Sequence, residues 1–143
     1  MDLDDLLKSG RIRREQISQR EVEQALRRAE RDLKTARKVM ASDWDWGFAI
    51  TYDAVLQASR AYMFARGYRP ASAEGHKNTL AFVRAAMGKD YEEMISYFDR
   101  MRIKRNQAIY DVAGLITETE ARNLFKAAGK FVAMVRGDVM RSK

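Results

Sequence analysis

Residues 94–112 read MISYFDRMRIKRNQAIYDV, and their spacing decides the fold class. Advancing about 100° per residue from Met94, the side chains of Phe98, Met101, Arg105, Ala108 and Val112 fall within about 40° of one line. That line is the apolar stripe of an amphipathic helix, predicted over YEEMISYFDRMRIKRNQAIYD and started by Asp90. Arg105 stands in the middle of it. A guanidinium in a closed core carries a desolvation cost that partial pairing does not cancel. Either the stripe opens onto a cleft at that point, or a carboxylate such as Asp53 meets the charge, or the arginine packs its stem and carries its head to solvent. The reverse side of the same helix carries Ile103 and Tyr110, in line with Asp99 and Gln107, and suggests a second contact surface.

The same periodicity extends in both directions. Ser18 followed by Glu21 reads as a capping box, and Val22, Leu26, Ala29, Leu33, Ala36 and Met40 form the stripe of a long first helix. Ser42 or Asp43 caps a second, WDWGFAITYDAVLQASRAYMFAR, which is apolar over most of its circumference and so is central or packed on a partner. Beyond the Gly67 to Gly75 connection, HKNTLAFVRAAM is a short helix ended near Gly88. Thr117 with Glu120 forms another capping box, opening ARNLFKAAGKFVAMVRGDVM. No segment alternates with period two, so no strand is predicted. The expected architecture is all-α, an up-and-down bundle of four long helices plus a short fifth. It comprises a bundle over residues 18–143 behind a basic arm, residues 1–17, in which MDLDDLLKSG adds a helical turn and RIRREQ is mobile or partner-binding.

Composition narrows the chemistry. At 143 residues with 46% hydrophobic side chains, the chain can bury one sizeable core. No apolar run approaches the roughly 18 residues that span a bilayer, and the first residues are too charged for a secretory signal, so a cytoplasmic protein without membrane contact is expected. There is no cysteine and a single histidine, His76, which disfavours disulfides and metal-assisted chemistry; no metal and no cofactor are expected. Lys and Arg number 27 against 20 Asp and Glu, a net charge of +7 that suits an anionic partner such as RNA or a phosphorylated ligand. Arg11, Arg13, Arg14, Arg20, Arg27 and Arg28 could track phosphates or form a solvated face. Trp44, Trp46 and Phe48 could stack bases or simply pack. Glu92 and Glu93, like Glu118 and Glu120, sit in first turns, where they complement the helix dipole.

Taken together, the second helix followed by GYRPASAEGHKNTLAFV, then RNQAIYD, then ITETEARNLFKAAGKFVAMV, resembles the HEPN domain family, the higher eukaryote and prokaryote nucleotide-binding domains. The resemblance implies a homodimer in which the RNQAIYD helices of two copies converge in a basic cleft. Arg105 would stand at its edge, with Arg102 and Lys104 beside it, and an RNA phosphate would supply the counter-charge. In ribonuclease members of the family an Arg on this helix is followed four to six residues later by a His, and the pair cleaves RNA without metal. Arg105 and Asn106 match that pattern, but Tyr110 stands where the histidine is expected, and a phenol with a reference pKa near 10 is a poor base at neutral pH. Ile103 and Tyr110 are the implied dimer contacts. The implied function is a toxin-like RNA-binding protein acting as a metal-independent endoribonuclease through Arg105, Asn106 and Tyr110. The alternatives are an inactive nucleotide- or RNA-binding module that partners a minimal nucleotidyltransferase antitoxin, with Tyr110 as the modification target, and a helical scaffold without ligand. His76 opens the third helix as a capping or packing residue, and its distance from Arg105 is open.

Overall fold

A computed structural model describes residues 1–71 and 73–141. Among these, the chain folds as α1 (Leu3–Lys8), β1 (Ile12–Arg14), α2 (Gln19–Met40), α3 (Trp44–Ala65), β2 (Tyr68–Pro70), α4 (Gly75–Met87), a 3-10 turn at Lys89–Tyr91, α5 (Glu92–Tyr110) and α6 (Glu118–Arg141). The fold is all-α apart from one small sheet, and α2, α3, α5 and α6 run 19 to 24 residues. Ser72, in the Gly67 to Gly75 connection, and residues 142–143, the end of the expected bundle, lie outside the described residues. No helix among the described residues is long and apolar enough to cross a membrane.

The greasy helix is the centre, as its composition requires. α3 packs against α2, α4, α5 and α6, and Phe48, Tyr52, Val55, Ala58, Ala61 and Met63 along it are fully buried. Each neighbour contributes its own stripe. Val22, Leu26, Ala29, Ala36 and Met40 of α2 are buried and Leu33 is partly so, while Phe98 of α5 meets Phe131 of α6 edge-on, with ring centroids 5.2 Å apart. The α2–α3 corner is tight. A Cβ on Gly47 would lie 2.1 Å from Met40 Cγ and 3.0 Å from Met40 Cα, so only glycine lets the two helices turn on each other there.

The structure corrects the local reading in four places. A strand pair exists: β1 and β2 run antiparallel, with Ile12 opposite Pro70 and Arg14 opposite Tyr68. Three residues per strand are too few for alternation to show in a sequence. The N-terminal arm does not hang free, because Leu6 and Ile12 are buried in the core and Arg11 Nε donates to Asn78 Oδ1 at 2.8 Å. Asp90 does not start α5; it lies inside the 3-10 turn, and the helix begins at Glu92. Val112 lies past the end of α5 and is half-exposed, so the buried line of that helix is Ile95, Phe98 and Ala108, flanked by the partly buried Met94 and Met101. The caps are otherwise as read. Asp43 takes the Trp46 amide, Thr117 and Glu120 cap each other reciprocally, and Ser18 takes the Glu21 amide. The Ser18 box is only half formed, since the Glu21 carboxylate is drawn to Arg69 instead.

Candidate functional site

Arg105 emerges from the side of α5 that faces α3. Its side chain is 17% exposed, and Nη2 donates to Asp53 Oδ1 at 3.3 Å, the carboxylate expected from the sequence. Nη1 donates to Asn106 Oδ1, also at 3.3 Å, while Nε is buried with no partner among the described residues. Both bonds are long for N–H···O geometry, and a guanidinium has five donors, so Arg105 is only partly satisfied. Asp53 makes a reluctant counter-ion. Burial raises its pKa above the ordinary carboxylate value, and the Arg105 charge offsets this only in part, with Asp32 adding repulsion.

The floor of the site is Tyr52. Its ring centre is 6.0 Å from the Arg105 guanidinium and 6.4 Å from the imidazole of His76, at the start of α4. The Tyr52 hydroxyl is buried without a partner among the described residues, and burial pushes the phenol far above its usual pKa, so it keeps its proton. His76 is held in place by its own loop. Glu74 adopts a left-handed conformation (φ 55°, ψ 39°), and Asn78, fixed by Arg11, donates from Nδ2 to the carbonyl of Ala73 at 3.0 Å. The chain is thereby bent so that α4 starts against α5. There His76 shares a groove of about 220 Å³ with Glu74, Lys77, Arg102 and Asn106.

The electrostatics of this groove are unusual for an imidazole. Partial burial, followed by the charges of Arg105, Arg102 and Arg60, lowers the pKa of His76 below its ordinary value. The neutral ring is thereby favoured, and it offers a lone pair beside cationic groups. That combination can accept a proton at one point while stabilising negative charge at the next.

The sequence-derived residues divide. Arg102, Arg105 and Asn106 are brought together, although Arg102 Nε is engaged by Asp99 at 3.1 Å. Lys104 is engaged by Glu120 at the start of α6. Tyr110 is not brought to Arg105: five residues further along, it lies about 140° around the helix. Its side chain is 74% exposed, and Ile103 is 49% exposed. Of the aromatic trio, Phe48 is core, Trp44 packs against the core under Arg122, and Trp46 is exposed. His76 is the residue that the sequence reads as capping or packing, with its distance from Arg105 left open. The only signal was a histidine opening a helix in GHKNTLAF, and nothing in its spacing fixed which helix it would face.

A small helical domain with one two-stranded sheet and a cationic groove between α4 and α5 is the class that these features define. The HEPN domain family matches residues 22–138, and the chain belongs to that family. No curated protein matches the sequence. Membership in the family points to a nucleotide- or RNA-related function.

Proposed function

We propose that this HEPN protein binds RNA in the α4–α5 groove and cleaves it by metal-independent transesterification, with His76 handling the proton. The observation that carries the reading is the placement of His76 in one groove with Arg102 and Asn106, beside the same tyrosine ring as Arg105; burial and the neighbouring charges lower the pKa of the imidazole. The ribose 2′-oxygen attacks the adjacent phosphorus, and its proton passes to His76. Arg105, through its loosely held Nη donors, and Arg102 balance the charge that builds on the phosphoryl oxygens. The 5′-oxygen leaves and takes a proton from water, giving a 2′,3′-cyclic phosphate and a 5′-hydroxyl end. Tyr110 has no part in this step within one copy. Ile103 and Tyr110 instead form the contact face of a homodimer, which would set two grooves to serve one RNA.

A second reading rests on the exposure of Tyr110. Its hydroxyl is open to an enzyme, as modification by a partner nucleotidyltransferase in a toxin and antitoxin pair requires. The two readings separate in one assay. Labelled single-stranded RNA is incubated with protein in EDTA, using wild type, Arg105→Ala, His76→Gln and Tyr110→Phe. Cleavage by wild type and Tyr110→Phe, lost in the other two with folding retained by circular dichroism, supports the proposal. Full cleavage by His76→Gln, or none by wild type, overturns it.

A further inference from the structure

A larger cavity than the α4–α5 groove lies elsewhere. Between α2, α3 and β2 lies a cavity of about 560 Å³, a size typical of small-molecule sites. Its walls carry five guanidiniums, those of Arg27, Arg28, Arg31, Arg60 and Arg69, against a single carboxylate, Glu21. Glu21 is already spent on Arg69, which also holds Glu15, and Arg31 has Asp32 at 3.5 Å. Arg27, Arg28 and Arg60 have no carboxylate within ion-pair distance among the described residues.

Arg60 is the telling member. Its Nε is buried with no hydrogen-bond partner among the described residues, although a buried N–H of this kind is normally satisfied. Its guanidinium lies 5.3 Å from the centre of the Phe64 ring, and that of Arg69 lies 4.9 Å from the same ring. Burial, with the charges of Arg28 and Arg69, disfavours the charged form of Arg60. The fold thus gathers like charges around an open volume and leaves three of the guanidiniums without a carboxylate, an arrangement that an anion relieves. Phe64 is already flanked by two guanidiniums, so the site is built for charge rather than for stacking a base.

We propose that this cavity is a binding site for an oligophosphate group, separate from the α4–α5 groove. Several guanidinium forks spread over such a volume exceed the need of one phosphate and fit a di- or triphosphate, whose oxygens they meet in pairs. The chemistry is shared by a nucleoside triphosphate and inorganic tripolyphosphate, and the test separates the two.

Titration calorimetry at fixed, low ionic strength is run with orthophosphate, tripolyphosphate and ATP, on wild type, Arg60→Gln and Lys130→Gln. Lys130 removes a positive charge from α6 outside the cavity. Tripolyphosphate should bind wild type at least tenfold more tightly than orthophosphate. Arg60→Gln should lose at least tenfold, Lys130→Gln should lose less than threefold, and the melting temperature of unliganded Arg60→Gln should not fall. Equal affinity for ATP and tripolyphosphate identifies the phosphates as the whole ligand; a tenfold preference for ATP identifies a nucleotide as the source, and both support the site. No binding by wild type, orthophosphate binding as tightly as tripolyphosphate, or equal losses in the two variants overturns it. Because none of these outcomes depends on RNA cleavage, the site stands or falls apart from the α4–α5 groove.

Discussion

Replacing Asp53 by asparagine should make this protein bind RNA more tightly. The carboxylate holds Arg105 through one bond of 3.3 Å, and it competes for the guanidinium with any incoming phosphate. A phosphate on the outer donors of Arg105 is taken as about 6 Å from Asp53, roughly the span of a guanidinium between two anions, for the Coulomb energy. Two unit charges at that distance repel by about 0.7 kcal/mol in bulk water and about 3 kcal/mol at an effective dielectric near 20. The Asp53 side chain is 38% exposed, which places the relief towards the low end, about 1 kcal/mol. Asparagine should then lower the dissociation constant about fivefold. Fluorescence anisotropy of a labelled single-stranded RNA measures this, and the gain should shrink as added salt screens the charges. Arg105→Ala should move affinity the opposite way. The stability cost of losing the ion pair should be small, because burial already disfavours the Asp53 charge. Weaker RNA binding by Asp53→Asn would refute the reasoning, since the carboxylate would then be positioning Arg105 rather than competing for it. Unchanged affinity would also count against it, by removing Arg105 from contact with phosphate.

Two further outcomes test the surroundings of the groove. Light scattering should find wild type dimeric and Ile103→Glu with Tyr110→Glu monomeric, because the double substitution sets charges on the exposed face of α5; a monomeric wild type would remove the proposed interface. Phe131→Ala should cost about 3–5 kcal/mol in urea unfolding, since the ring is buried and packed edge-on against Phe98, and a loss below about 1 kcal/mol would show that the α5–α6 seam is not part of the cooperative core.

What could be read before the structure follows from the range of the forces involved. Helix positions rest on local spacing, so the α2 stripe, the apolar α3 and the Thr117 to Glu120 cap were all visible in the sequence. Arg105 was visible as a violation of that spacing, and its partner Asp53 as the carboxylate available on the neighbouring helix. The β1–β2 pair was not visible, because it depends on residues far apart in sequence and on strands of three residues. The role of His76 was hidden for a related reason. It faces α5 only because the loop before it bends through a left-handed Glu74 and is tied down by Asn78, which is itself held by an arginine from the N-terminal arm. The resemblance directed attention along α5 to Tyr110. Helical geometry turns that residue away from Arg105, while the fold brings the imidazole from α4 into one groove with Arg102 and Asn106.

His76 is the one histidine in the chain, so its ring proton gives a resolved signal by proton NMR once any affinity tag is removed. Titrating that signal against pH tests the central claim. The account requires a midpoint below the ordinary value of 6.5 in wild type, a rise towards that value in Arg105→Ala, and a rise on adding RNA, whose phosphates offset the neighbouring charges. A midpoint at or above 6.5 that neither Arg105→Ala nor RNA moves would contradict it.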